Sequence, residues 1–335
     1  MTLNKLGQPF QGVAWYWIEN SYGVVSTPSL NELPISCKIQ NIRIDTGDRH
    51  KVLRDIGSPL ACNLLKQTHE PKVHLEYIPQ AGDTMIDDTI DRSSTCTLQS
   101  ISMCVGMNTK MVADADDVSY YVINGMKPAT VRITSSKNTE YLVVIDYEAK
   151  SIITLNVLST YYSYPTDANN SNYTTHTGLT GSAPSVLTGN YLQFNVAGEI
   201  RKTGYHVVNT DHIAFITNSI ELTVTHKLTP YTDHDSLYKT YIIEGDMDVE
   251  GSVDITLDGG GALHIDEVLN NRSFEIVIDM GTMSAAANVP RITLPACEWK
   301  SSSVDGNIGG EAMISSVPFT AKPSACNNLV STPTV

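Results

Sequence analysis

Apolar and polar residues alternate with a period of two in segment after segment of this chain. That pattern commits it to half-buried strands, because successive side chains of a strand point to opposite faces. Ile39, Ile42 and Ile44 recur around Gln40, Arg43 and Asp45, and Val73, Leu75 and Tyr77 alternate with Lys72, His74 and Glu76. Leu98, Ile101, Met103 and Val105 form another run. Val249, Val253, Ile255 and Leu257 follow in the second half with Glu250, Ser252, Asp254 and Thr256 between them. Phe274, Ile276 and Ile278 alternate with Ser273, Glu275, Val277 and Asp279. Tyr141 to Tyr147 and Ile152 to Leu158 read as two further strands. Helical signals are short. Ser58 to Lys66 has a capping Ser58 and Pro59 at the first helical position; Asp83 to Ile90 and Ala262 to Leu269, the latter after the turn Gly259-Gly260-Gly261, are the other two.

The same order of segments occurs twice. Ile39 to Ile44 resembles Ile216 to Leu222, and His50-Lys51-Val52 resembles His226-Lys227-Leu228. Val73 to Ile78 resembles Val249 to Ile255, Ile86 to Ile90 resembles Ile265 to Leu269, and Thr97 to Met103 resembles Ser273 to Asp279. The offset holds at 176–179 until Ala129 to Thr134 and Val289 to Leu294, where 291 − 132 leaves 159. Each copy then comprises strands, a short helix, more strands and a closing strand. The division expected is an N-terminal arm at 1–32, a first domain at 33–159, a linker and entry strand at 160–204, a second domain at 205–323, and a tail at 324–335. The centre of the linker, 165–189, is rich in Thr, Ser, Asn, Gly and Pro, and Tyr191 to Val196 begins a new strand.

Composition narrows the function. The 335 residues suffice for two domains, each with its own core. The net charge is −14, with 22 Lys and Arg against 36 Asp and Glu. No run of Lys or Arg exceeds two, so a phosphate-gripping groove is not expected. A negative surface repels DNA and lets it slide past; it equally keeps a protein soluble. No stretch approaches the roughly 20 apolar residues of a membrane helix, and no apolar segment follows Met1 as in a signal peptide. Cys37, Cys62, Cys96, Cys104, Cys297 and Cys326 match no zinc spacing and are expected reduced and mostly buried; a Cys96–Cys104 bridge is left open. The formal glycosylation sequons at Asn172 and Asn271 carry little weight without a signal peptide.

No catalytic, cofactor-binding or metal-binding residue is assigned. Asp233-His234-Asp235 has no partner cluster and reads as a solvated turn. Asp114-Ala115-Asp116-Asp117 lacks the central Gly and late Glu of an EF-hand, which leaves only an ad hoc cation site open there. No nucleophile elbow, Walker loop, zincin helix or dinucleotide fingerprint is present. Trp15, Tyr16, Trp17 and Tyr22 crowd the N-terminus, either as core anchors or as a surface for docking a neighbouring subunit. Tyr161-Tyr162-Ser163-Tyr164 opens the mid-chain loop as a candidate contact surface.

This order of elements resembles the tail tube proteins of long-tailed viruses of bacteria and archaea. The likeness lies in Ile216 to Ile220, the excursion Lys227 to Tyr241, the Gly-Ser strand Gly251 to Leu257, the short helix near Ala262 to Leu269, Phe274 to Asp279, Arg291 to Leu294 and Phe319-Thr320-Ala321. It covers 205–325 well and 33–157 less well, since the first copy lacks the Gly-Ser strand start. The resemblance implies a mainly β fold of two tandem β-sandwich, barrel-forming domains, each with a flanking helix. It implies six domains per ring, hence homotrimeric pseudo-hexameric rings stacked into a tube. It implies genomic DNA passing through the lumen without specific binding, other tail proteins at the tube ends, no membrane, no cofactor, assembly in the host cytoplasm, and Lys227 to Tyr241 reaching to the next ring. Another virion component (a baseplate or capsid decoration protein) is the first alternative. A carbohydrate-binding β-sandwich using Trp15, Trp17 or Tyr161 is the second.

Overall fold

The computed structural model describes residues 12–23, 33–34, 39–47, 50–54, 61–66, 69–108, 118–136, 139–155, 160–163, 174–177, 192–193, 199–203, 213–214, 217–234, 236, 238–256, 269, 273–282, 290–301, 314–322 and 329–331. In the first half the elements are β1 (Gly12–Ile18), β2 (Leu33–Pro34), β3 (Ile39–Asp45), β4 (His50–Arg54), β5 (Ala61–Lys66), β6 (Lys72–Tyr77), α1 (Met85–Ile90), β7 (Ile101–Asn108), β8 (Val118–Ser136), β9 (Leu142–Glu148) and β10 (Ser151–Leu155). Between the halves lie β11 (Thr160–Ser163), β12 (Thr174–Thr177) and β13 (Leu192–Gln193). The second half holds β14 (Glu199–Thr203), β15 (Ile213–Ala214), β16 (Thr217–Tyr231), β17 (Tyr241–Thr256), β18 (Phe274–Asp279), β19 (Gly281–Thr282), β20 (Arg291–Trp299), β21 (Ile314–Ala321) and β22 (Val330–Ser331). The fold is mainly β, as the alternation requires, and one large antiparallel sheet runs through both halves. Among the described residues a single chain forms no closed barrel.

The two halves repeat one pairing scheme. In the first, β3 pairs β6, β6 pairs β9, β9 pairs β8 and β8 pairs β7. In the second, β16 pairs β17, β17 pairs β21, β21 pairs β20 and β20 pairs β18. The register repeats as well. Ile39↔Tyr77 corresponds to Thr217↔Ile255, since 217 − 39 and 255 − 77 both equal 178. The β-bulge between Ile39 and Asn41 recurs between Thr217 and Ser219, and the one between Ile101 and Met103 recurs between Phe274 and Ile276. Bulges re-aim a strand at a chosen point, so two bulges at matching positions are a structural signature of one unit used twice.

The repeat extends past the strands that share sequence. β1 pairs both β7 and β2, and β14 pairs both β18 and β15. β10 flanks β8, and β22 flanks β20. Strands in the expected arm, linker and tail thus take equivalent places in the two halves. For the closing strand the register corrects the sequence alignment. Met126, opposite Ile101, corresponds to Cys297, opposite Phe274, so the offset from β8 to β20 is 297 − 126, or 171, and not 159. A slip of twelve is even and keeps every side chain on its own face, so alternation alone cannot detect it.

Packing follows the period. Val73, Leu75, Tyr77, Val143, Ile145 and Tyr147 face inward in the first half, as do Val249, Val253, Ile276, Ile292, Leu294 and Phe319 in the second. Each fully buried aliphatic contributes about 1.5–3 kcal/mol. Phe274, Trp299 and Phe319 form an aromatic cluster, with ring centroids 4.4 Å and 6.2 Å apart along it. Gly251, the Gly of the Gly-Ser strand, makes room there: a Cβ on it would lie 2.5 Å from both the Glu221 carbonyl oxygen and the Phe319 ring. Its counterpart in the first half is Val73, which stands opposite Tyr147.

α1 forms where expected. Met85, Ile86, Thr89 and Ile90 give it a buried face, and the Asp83 carboxylate accepts the Met85 N–H at 2.9 Å in place of a cap from Thr84. The helix stops at Asp91, whose backbone is extended. Of the other expected helices, only Leu269 of 262–269 lies within the described residues, and it is helical. The third is corrected: Ala61–Lys66 is the strand β5, an antiparallel partner of β4. A short apolar run suits either state, and the nearby strand β4 decides it.

Candidate assembly edge and polar face

The halves join edge to edge. β8 of the first pairs with β16 of the second, from Ser219↔Ser136 to Thr225↔Thr130. Ile220, Leu222, Val224, Val131 and Ile133 are buried beneath this ladder. On its exposed side Arg132 pairs with Glu221 at 2.8 Å. An exposed ion pair is worth about 0–1 kcal/mol, far less than the buried aliphatics, so the apolar residues hold the junction and the charges select its partner and register.

Side chains around α1 lock the junction from behind. The Arg92 guanidinium donates to the Gly245 carbonyl at 2.8 Å. His226 lies between Arg92 and the Thr89 carbonyl, 3.4 Å and 3.1 Å away. Burial pushes its pKa down to about 4, so the ring is neutral at pH 7, with Nε2–H donating to Thr89 and Nδ1 accepting from Arg92. Lys127 pairs with Glu244, which also accepts the Leu98 N–H at 2.7 Å. The Asp91 carboxylate accepts the Leu329 N–H at 2.9 Å. Lys239, wholly buried, donates to Glu148 at 2.5 Å, and Tyr238 stacks on His69 at 5.4 Å. These residues carry no sequence signal, since each partner lies 91 or more positions away.

The excursion Lys227 to Tyr241 is therefore not a free loop. β16 runs to Tyr231 and β17 starts at Tyr241, and residues 238–239 dock on the first half. Tyr231 and Tyr241 stack at 4.7 Å near the hairpin end and, with Ile243, are exposed.

Taken in pairing order, β3-β6-β9-β8-β16-β17-β21-β20 form one ribbon of eight strands. Within the described residues β3 pairs only β6, whereas its counterpart β16 has β8 on its other side. The ribbon face opposite the core is polar. It carries Asp45, Glu76, Asp146, Glu148, Glu221, Glu250 and Asp254; Lys300, just past β20, reaches Glu250 at 2.7 Å, and the strands themselves bring Arg43, Lys72 and Arg132. Each of these three cations already faces a carboxylate: Arg43 meets Asp45 at 3.7 Å, Lys72 meets Glu148 at 2.8 Å, and Arg132 meets Glu221. His74 likewise meets Asp146 at 2.7 Å. Such a face repels a polyanion and leaves these cations engaged.

A second cluster lies beneath α1. The Tyr16 hydroxyl donates to Asp88 at 2.8 Å and lies 2.8 Å from the Thr84 hydroxyl. Tyr77 and Tyr147 are buried beside Asp83 and Asp88, and their pKa values are raised chiefly by burial. Burial also pushes Asp83 up to about 7 and Asp88 up to about 6.

Other sequence candidates divide clearly. Trp15, Tyr16 and Trp17 are buried in β1, at 3% exposure or less, so they anchor the core and offer no sugar-stacking surface. Tyr161 and Tyr162 lie in β11, opposite His176 and Thr175. Asp233 and His234 are exposed in the turn after β16; Asp235 and Asp114 to Asp117 lie outside the described residues. Cys104 and Cys297 are buried thiols that form no disulfide, but Cys96 is disulfide-bonded, in an exposed turn. The expectation of reduced cysteines is thus corrected at Cys96, and because Cys104 forms no disulfide the Cys96–Cys104 bridge is excluded. Among the described residues no helix is long and apolar enough to cross a membrane.

No protein-family model matches the chain, and no curated protein does. Among solved structures, the six-fold symmetrised cryo-EM baseplate of the anti-feeding prophage matches 43% of this chain and 95% of its own, at 15% identity and a TM-score of 0.28. That score is too low to establish a shared fold, so the functional reading rests on the chain's own strand pairing.

Proposed function

We propose that this chain is a structural subunit of a viral tail tube, two tube units in one polypeptide, which assembles into rings that stack around a lumen. The observation that carries the reading is the β8·β16 junction, where two copies of one unit are already joined as ring neighbours would be. Head-to-tail joining of like units closes a ring when the rotation returns on itself. Closure would also cover the edge of β3 that has no partner among the described residues, and an uncovered edge invites uncontrolled pairing. Three chains of eight ribbon strands would make a wall of 24, with threefold symmetry and a pseudo-sixfold lining. The polar, carboxylate-rich ribbon face supports a DNA conduit, because a lumen must not hold what it transmits. The role is structural, not catalytic, and its place is the virion tail. Negative-stain electron microscopy of the concentrated chain tests this. Hollow tubes of uniform width are expected; finite oligomers that never stack would favour a baseplate or decoration protein.

A further inference from the structure

We propose that the β4–β5 hairpin of one chain docks on the second half of another copy, at Glu298 and Thr320, as the end of the β16–β17 hairpin docks on the first half within the chain. This rests on the ring reading and specifies a contact between chains. The repeat supplies the correspondence. His50↔Lys66 matches Leu228↔Glu244, and Leu53↔Asn63 matches Tyr231↔Tyr241, each shifted by 178 positions. The tips beyond are equally long, since 63 − 53 and 241 − 231 both equal 10. By register, β4–β5 is thus the first half's version of the hairpin end that carries Lys239 and Glu244. Ala61 takes the place of Lys239, and Lys66 that of Glu244. The docking ground repeats as well. Lys127 stands opposite Glu148 as Glu298 stands opposite Thr320, and Glu148 stands opposite Lys72 as Thr320 stands opposite Glu250, where 250 − 72 is again 178.

Two features favour a second copy as occupant. The first is cover. Beneath the docked hairpin the side chains of Lys127 and Glu148 are 11% and 15% exposed, whereas that of Glu298 is 40% exposed. β3, which β4–β5 follows, and β20, which carries Glu298, lie at opposite ends of the eight-strand ribbon, so each chain has a hairpin at one end and an uncovered site at the other. The second is charge. Within the chain Glu244 meets Lys127 and Lys239 meets Glu148. At the proposed contact both members of each pair change together: Lys66 meets Glu298 with the signs reversed, and Ala61 meets Thr320 with both neutral. Lys322, 2.8 Å from Glu298, is 68% exposed, so solvent screens its repulsion of Lys66. The exchanged combinations are poorer. The β16–β17 hairpin on the second half would set Glu244 against Glu298 and Lys239 against Thr320, whose neighbour Glu250 already takes Lys300 at 2.7 Å. The β4–β5 hairpin on a first half would set Lys66 against Lys127, where Glu148 is already held by Lys72 at 2.8 Å. Like charges brought together disfavour both exchanges.

The Glu298–Lys322 pair is exposed and of small worth, so reversing Glu298 should leave the subunit fold intact. The test compares Lys66→Glu, Glu298→Lys and the double variant of the full chain by sedimentation velocity across a concentration series. Each single variant is expected to move assembly to about tenfold higher concentration, and the double variant to restore it to within about twofold. Recovery in the double variant excludes misfolding as the cause. Single variants that assemble like the parent, or a double variant that fails to recover, would overturn the docked hairpin while leaving the ring reading standing. A parent chain that stays monomeric at every concentration would overturn both.

Discussion

Replacing Glu148 by Gln isolates the contact that ties the second half's long hairpin to the first half's sheet. Lys239 is wholly buried and donates to Glu148 at 2.5 Å, and Glu148 itself is 15% exposed. Removing one partner of a buried ion pair costs about 3–5 kcal/mol, because the surviving charge stays desolvated. Glu148 touches solvent and the Gln carbonyl still accepts a hydrogen bond, so the lower figure of about 2–3 kcal/mol applies. Lys72, which shares Glu148 at 2.8 Å, is 61% exposed and adds little. Urea denaturation should show the loss as an earlier transition, and hydrogen exchange should accelerate at 238–240. The compensating change Lys239→Met in the same chain should recover most of it, since an apolar side chain needs no partner. A Glu148→Gln variant within about 0.5 kcal/mol of the parent would show that Lys239 is not buried against Glu148.

Three further outcomes follow. Asp83 titrates near 7 in the folded chain and near 4 when unfolded, so the folded state binds more protons between those values and its stability falls as pH rises across them. Asp83→Asn keeps the acceptor for the Met85 N–H without ionising, and should gain about 2–4 kcal/mol over the parent between pH 5 and pH 8 in urea titrations. His226 has the opposite sign. Its folded pKa is depressed to about 4, so its contribution is present above pH 6.5 and is lost as pH falls toward 4; His226→Gln should flatten that acid limb. Gly251→Ala forces a Cβ onto the Glu221 carbonyl and the Phe319 ring and should cost about 1–3 kcal/mol in thermal or urea unfolding, whereas Gly245→Ala, where the nearest contact is 3.2 Å, should cost less.

The strands were legible because one face of each is buried, and burial writes a period of two into residues such as Val73 to Tyr77. The repeat was legible where it constrains side chains, as in β3 and β16 or β6 and β17. It was illegible in β1 and β14, where Gly-Val-Ala-Trp-Tyr-Trp-Ile and Glu-Ile-Arg-Lys-Thr take equivalent places with nothing in common. Those places are set by backbone hydrogen bonds to β7 and β18, which ask little of the side chains. The junction was hidden for another reason: Ile220, Leu222, Val224, Val131 and Ile133 read as ordinary buried strand faces, and neither sequence names the strand it meets. Lys239, Arg92 and His226 were hidden differently, because only the folded chain brings Glu148, Gly245 and Thr89 to them.

The account turns on two like units per chain closing a ring through like seams. Mass photometry of the full chain, followed by symmetry-free class averaging of the main species in cryo-EM, tests it most directly. Three chains of 36.6 kDa predict a particle of about 110 kDa, threefold overall, with six near-equivalent lobes around a central hole. A particle of two or four chains, or one with no central hole, would contradict it.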